Sequence, residues 1–282
     1  MIIDTHTHFG EPSRPNPLLH RTELPHVYEA LAIPEGVTGT VVVEARMGLE
    51  EIAWLSGLAE DDPFIVGIVG DVEPSSETFA ADLESVAGNP LLVGVRYHDR
   101  CCRDDRAAAA SATDAAWRRT LQSAELLAAR DMELDLHITH KRIDLVIELA
   151  MRVPELRLVV NHIAESRPLE PKGVNSRWAE DIHRLGEYPR VYCKVSNLVQ
   201  ITGLHPVPAD VGFYAPTLDV LWETFGEDRL IYGSNWPQIE RASDYATAQG
   251  TVAAYFQARG PEATEKFFWK NARSVYRWPE GT

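Results

Sequence analysis

Short apolar runs alternate with longer stretches whose apolar residues recur every three or four positions, and the alternation continues from one end of the chain to the other. The short runs are residues 1–4, 39–44, 64–70, 91–97, 134–138, 156–162, 191–196 and 229–233. They are rich in Val, Ile and Leu and nearly continuous, as strands of a parallel sheet buried on both faces should be. Eight such runs are the number that closes a barrel. The intervening stretches read as amphipathic helices. Leu49, Ile52, Leu55 and Leu58 form one stripe. Trp117, Leu121, Ala124 and Leu127 form another, with Thr113 as its N-cap. Ile143, Ile147, Ala150 and Met151 form a third. Leu218, Leu221, Trp222 and Phe225 stop at Gly226, and Tyr245, Ala248, Val252 and Phe256 stop before Gly260. A last helix starts near Pro261 and carries Phe267, Phe268, Ala272 and Val275. Alternating strands and helices with short connections predict an α/β protein, a (β/α)8 TIM barrel spanning residues 1–282 as one domain. The aromatic stripes read as barrel packing. The longer connections, residues 9–24, 99–112, 163–175 and 197–214, all follow strands, on the side where such barrels carry their sites.

Polar residues interrupt the apolar runs at matching places. The first run leads into Asp4-Thr5-His6-Thr7-His8, and a side-chain period of two points His6 and His8 the same way, so both imidazoles can reach one divalent metal. Arg96, His137, His162 and Lys194 stand at the C-terminal ends of the fourth to seventh runs, and Glu44 ends the second. Unpaired polar groups cost roughly 1–3 kcal/mol to bury, so this many at one end of a barrel are expected to meet in a shared cavity. His98, His140, His183 and His205 read as surface or loop residues.

With 282 residues, 45% of them hydrophobic, the chain can bury a large core without a disulfide or structural metal. Its formal net charge of -15 argues against nucleic acid and anionic membranes as partners. Three cysteines, Cys101, Cys102 and Cys193, with no CxxC, fit a reducing compartment. The N-terminus lacks the basic and apolar regions of a signal peptide, and no run of eighteen apolar residues occurs. The expectation is a cytoplasmic enzyme without an organic cofactor; homo-oligomerisation is left open.

The blocks DTHTH, NPLLVGVRYH, ELRLVVNHIAE, RVYCKVSNL, DRLIYGSNWP and KNARSVYRW together resemble the amidohydrolase-related lactonases, a branch that includes sugar-lactone hydrolases and 2-pyrone-4,6-dicarboxylate lactonase. The resemblance covers nearly the whole chain. It implies that His6, His8 and His162 line the site and polarise a carbonyl or hold a metal, and that Arg96 and Lys194 bind negative oxygens of a small anionic substrate. It also implies a general base, an aspartate in such lactonases, after the eighth strand. Here that position is Asn235, and an amide cannot take a proton from water near neutral pH, though it can orient one. His162 and Glu44 are the candidate replacements. His137 is a second departure. With His6 and His8 it would make a three-nitrogen site for one divalent ion, zinc first, whose bound water has a lowered pKa. Three readings follow: a lactonase or related hydrolase, a metal-dependent non-oxidative decarboxylase, and a binding protein on the same barrel.

Overall fold

A computed structural model of the chain describes residues 1–11, 22–99, 114–164, 169–170 and 173–278. The eight apolar runs are the eight strands of one sheet: β1 (Ile2–Thr7), β2 (Val37–Val43), β3 (Ile65–Gly70), β4 (Leu92–His98), β5 (Glu133–His137), β6 (Arg157–Val160), β7 (Val191–Val195) and β8 (Leu230–Tyr232). Every neighbouring pair is parallel. The ring closes just beyond β8, where Asn235 donates its N–H to His6 O at 2.9 Å and His8 donates to Trp236 O at 2.9 Å. The chain is therefore a (β/α)8 barrel. One strand stops earlier than its sequence pattern: β6 ends at Val160, and Asn161–Ala164 form a separate buried turn. A two-residue antiparallel ladder, Leu169–Glu170 with Gly173–Val174, has no counterpart in the sequence reading, because two residues are too few to show a period.

Around the sheet run α1 (Pro25–Ala32), α2 (Leu49–Asp61), α3 (Phe79–Val86), α4 (Asp114–Ala129), α5 (Ile143–Arg152), α6 (Ser176–His183), α7 (Val211–Phe225), α8 (Tyr245–Gln257), α9 (Pro261–Glu265) and α10 (Asn271–Tyr276). Local chemistry sets several ends. Asn175 caps α6 by accepting from Trp178 N–H at 3.0 Å, and Asp244 caps α8 by accepting from Thr247 N–H at 2.8 Å. Helix α7 stops at Gly226, whose φ of +64 favours glycine. In α5 the buried stripe is Ile143, Val146 and Leu149, while Met151 is exposed; a spacing of three selects that face. Thr113, Cys101 and Cys102 lie outside the described residues. Cys193 is buried, as packing of the thiol requires. No helix among the described residues is long and apolar enough to cross a membrane.

The apolar side chains of the strands fall into two cores, by an alternation that register shifts interrupt in β3 and β4, where Ile68 pairs with Leu92 but Val69 with Gly94. Val42, Ile68, Val95, Leu134, Leu136, Leu158, Val160, Cys193 and Val195 face outward and pack against helix residues such as Leu55, Leu83, Leu121 and Leu221. Ile3, Val41, Val43, Val66, Val69, Val93, Val159 and Ile231 face inward. Ala272, Val275 and Tyr276 of α10, with Trp278, join that inner cluster and seal one end of the barrel. Strand β5 is the exception. Since Leu134 and Leu136 face out, the alternation turns Glu133, Asp135 and His137 inward as a polar column.

Glu133 fits only because β4 has Gly94 opposite it in the ladder. A Cβ at residue 94 would lie 2.0 Å from Glu133 Oε1 and 2.7 Å from Glu133 O. Gly94→Ala should therefore lower the unfolding free energy by about 1–3 kcal/mol in urea titrations. Gly57→Ala, in the middle of α2 with nothing within 4 Å of the added carbon, should raise it by about 0.5–1 kcal/mol. Equal effects at the two glycines would refute the assigned packing.

Candidate active site

His6 and His8 are buried on and just beyond β1, and the strand is held from behind by Asp4. Asp4 accepts from the N–H of His6 at 3.1 Å, the N–H of Ser234 at 2.8 Å and the hydroxyl of Tyr28 at 2.7 Å. One carboxylate thus ties the first strand to the segment after the last, which fixes the position of the His6-x-His8 pair. Five imidazoles then run around the barrel mouth in the order His8, His6, His162, His137, His98. Successive ring centroids are 5.0, 4.4, 5.6 and 5.1 Å apart.

Hydrogen bonds set which ring nitrogens carry protons. His8 Nδ1 lies 2.8 Å from Val43 O, and a carbonyl only accepts, so Nδ1 is the donor and Nε2 keeps the lone pair. His162 Nδ1 meets Ser196 Oγ at 2.7 Å. His98 Nε2 bonds the Glu44 carboxylate, and its Nδ1 is 3.0 Å from His137 Nδ1. Both ring nitrogens of His6 are buried with no hydrogen-bond partner, a costly state for a polar side chain unless a ligand completes it. Burial is the main force on this string. Together with neighbouring positive groups it pushes His6 and His162 well below the usual histidine range. It holds His8 at about 4 against the pull of Glu44, and His98 at about 4 despite its bond to that carboxylate. All four are neutral at pH 7 and can offer lone pairs.

His162 reaches the mouth by an unusual route. It, Ile163 and Ala164 have φ of 53, 52 and 61, three successive non-glycine residues in the left-handed region. That conformation costs about 1–2 kcal/mol per residue. It is held by burial of Ile163 and Ala164 and by the Trp178 Nε1–H, which donates to Ile163 O at 2.9 Å. Strain kept in place by packing is common where a side chain must be aimed.

Glu44 and Arg96 are both buried, with Arg96 Nη1 3.5 Å from Glu44 Oε1 and Arg96 Nε buried without a hydrogen-bond partner. Burial alone would raise the Glu44 carboxyl, but the hydrogen bond from His98 and the charge of Arg96 outweigh it and hold the group at about 2. A carboxylate so stabilised is a weak proton acceptor; its geometry suits orienting His98 and Arg96. Lys194, expected to offer charge to substrate, is engaged inside the barrel instead. Its ammonium donates to Asp135 Oδ2 at 2.8 Å and Thr5 O at 2.9 Å, and neither Lys194 nor Asp135 is exposed at all. Asn235 sits beside His6 through the backbone bond that closes the barrel, and its amide nitrogen donates to Asn197 Oδ1 at 3.1 Å and Gln200 Oε1 at 3.4 Å.

Two histidines need correction. His98 is a member of the string, not a surface residue, and His140 is buried against Asp181 at 2.8 Å. His183 and His205 are at the surface. The signal for His98 was present: it stands two residues after Arg96, as His8 stands two after His6, so it shares Arg96's face of β4. Asp135, two before His137, follows the same rule.

The imidazoles fit a divalent ion better than the nearby acids do. Among the described residues, Glu44, Glu51 and Asp71 bring ligand oxygens within 4.8 Å of one another. Glu51 and Asp71, however, already accept from the backbone N–H groups of Ala45, Met47 and Gly48 at 2.8–3.2 Å. Burial, with the charge of Glu44 second, also pushes Glu51 to about 8. His6 with two partnerless nitrogens, and His8 with a bare Nε2, have the donor chemistry of a zinc-type site. The ring in contact with His6 on its other side is His162; His137 lies one step further along the string.

A parallel barrel with imidazoles at the strand ends defines a class of barrel enzymes, and the chain belongs to the amidohydrolase family, whose model matches residues 3–278. It is a hydrolase of that family. The L-fucono-1,5-lactonase of Burkholderia ambifaria is 29% identical, covering 98% of this chain and 95% of that protein. A zinc-bound amidohydrolase from Burkholderia multivorans superposes with a TM-score of 0.84 at 25% identity, covering 99% of this chain and 100% of that one. A putative 2-pyrone-4,6-dicarboxylic acid hydrolase from Pseudomonas putida shares the fold, with a TM-score of 0.73 at 20% identity over 98% of this chain and 97% of that one.

The depressed histidines give a pH dependence of known sign. Between pH 6.5 and 4 the unfolded chain binds protons that native His8 and His98 refuse, so stability falls as pH falls through that window. At pH 5 the loss should be on the order of 2 kcal/mol for each of the two. Glu51, held at about 8, adds stability as pH falls over the same window, so the measure is the difference between the parent and His98→Gln in urea titrations of chelator-treated protein at pH 7 and pH 5; an equal pH dependence in the two would mean that His98 is not buried neutral.

Proposed function

We propose that this hydrolase opens a small sugar-type 1,5-lactone by attack of water on the ring carbonyl. The observation that carries the proposal is the meeting of Arg96 with a string of neutral imidazoles at one barrel mouth, in a chain related over 98% of its length to a sugar lactonase. The charge balance favours a neutral ring over a dianion. Lys194 is neutralised by Asp135, Arg96 is partly shared with Glu44, and His6, His8, His98 and His162 are uncharged. Among the described residues, such a site has one guanidinium to spare for charge that appears during reaction. Arg96 takes the carbonyl oxygen as it becomes negative and then the product carboxylate, through the planar fork suited to two oxygens. His162, fixed by Ser196 and in contact with His6, is placed to receive the proton of the attacking water; burial and positive neighbours make it a weak base, so the water must itself be made more acidic as it attacks. Return of that proton to the ring oxygen completes the opening. His6 and His8, joined by His137, would hold a divalent metal, zinc by the chemistry of the donors, which supplies Lewis acidity when bound, and His162 stays free for the proton.

A pH-indicator assay of zinc-supplemented enzyme should show hydrolysis of L-fucono-1,5-lactone far above the spontaneous rate, and faster than that of 2-pyrone-4,6-dicarboxylate. No lactone opened above background would refute the proposal. Arg96→Met should lower kcat/KM about 10²–10³-fold, with the melting temperature close to the parent's because Glu44 keeps its bonds from His98 and the Arg46 N–H.

A further inference from the structure

The side chain of Asn235 is committed at one atom and open at another. Its Nδ2 has two hydrogens, and Asn197 Oδ1 and Gln200 Oε1 take one each, at 3.1 and 3.4 Å. The amide nitrogen of Asn235 thus faces these two oxygens. Oδ1 makes no hydrogen bond to the described residues, and an amide oxygen lies at the opposite corner of the planar group from its nitrogen. The two holding amides are polarised in turn. With their oxygens turned to Asn235, Asn197 Nδ2 and Gln200 Nε2 are left as donors without a partner among the described residues. Asn235 is buried, whereas Asn197 and Gln200 are part-exposed, so the cluster runs from the barrel mouth outward. Asn235 and Asn197 both have positive φ, 65 and 61, a conformation that asparagine tolerates better than most residues.

We propose that Asn197, Gln200 and Asn235 form a subsite that reads the ring hydroxyls of the substrate, with Asn235 Oδ1 accepting from one hydroxyl and the two outer amides donating to its neighbours. An attacking water needs one acceptor; three open polar atoms of both kinds match vicinal hydroxyls, which both donate and accept. A carboxylate, which only accepts, would meet Asn235 Oδ1 as a repulsive neighbour. The subsite also gives a reason for an amide where related lactonases are expected to carry an acid: an aspartate would have no hydrogens for Asn197 and Gln200 and would turn all three side chains. The inference rests on the sugar-lactone reading for the identity of the ring, but its test does not need turnover.

The test is calorimetric binding of two open-chain acids with the same carbon skeleton, L-fuconate and 5-hydroxyhexanoate, which differ by the hydroxyls at carbons 2, 3 and 4. The parent protein should bind L-fuconate at least about tenfold more tightly, and Gln200→Leu should reduce that ratio about tenfold, the size of one hydrogen bond in a binding constant. Gln200→Glu keeps an acceptor for Asn235 Nδ2 while losing its own donor, so it should retain more of the preference; it also serves if the leucine variant does not fold. Equal affinity for the two acids in the parent, or an unchanged ratio in both variants, overturns the subsite. So does a fall in kcat by the same factor on L-fucono-1,5-lactone and δ-hexanolactone, which would assign the Asn235 oxygen to the attacking water. A protein that prefers L-fuconate yet opens no lactone contradicts the proposed reaction and leaves the subsite standing.

Discussion

The centre of the barrel is a lysine with no access to water. Moving an ammonium into such a place costs several kcal/mol unless it is paired and its hydrogens are used. Asp135 Oδ2 and Thr5 O take two of them, and the second carboxylate oxygen of Asp135 is held by Tyr276 Oη–H at 3.0 Å. These bonds join β1, β5, β7 and α10 at one level of the barrel, so the helix that seals the apolar end and the strands that carry the histidines share one electrostatic anchor. Removing either charge would strand the other, and the imidazoles stand on the strands that the pair holds together.

Above the anchor, low polarity and positive neighbours act together. Burial opposes a positive charge on His6, His8, His98 and His162, and Arg96 and Lys194 reinforce it at His6 and His162. Glu44 is the opposite case: ionised although buried, because His98 and Arg96 face it. The outcome is a set of lone pairs with little net charge of its own, a suitable setting for a neutral substrate that becomes an anion on opening. The same burial that makes these groups available makes the fold sensitive to acid, since each protonation must displace a neutral, packed ring.

Much of this was legible in the chain. Eight apolar runs gave the barrel, and a polar residue at the end of a run marked the functional rim, because a strand buried on both faces admits polar side chains only where they can be satisfied. His6, His8, His137 and His162 were visible for that reason. His98 was passed over although it stands two residues beyond Arg96, as Asp135 stands two before His137; the period of two places each on the inner face. The strand pattern also ran past Val160 to His162, since a left-handed turn of buried Asn, His, Ile and Ala has the composition of a strand end.

Periodicity alone determined the number of strands, the face of most side chains and the end at which chemistry gathers, because these depend on residues two to four positions apart; the register shifts of β1 to β4 came only with pairing. Partnership depends on distances across the barrel, which no local pattern contains. Lys194 and Asp135 are 59 residues apart, and Asn235 and Asn197 are 38. Only closure of the sheet decided that the lysine charge is used internally, that His162 rather than His137 is the ring against His6, and that the amide of Asn235 is turned by two others. The physical reason is that charge neutralisation and hydrogen bonding act over about 3 Å in space, whatever the separation along the chain.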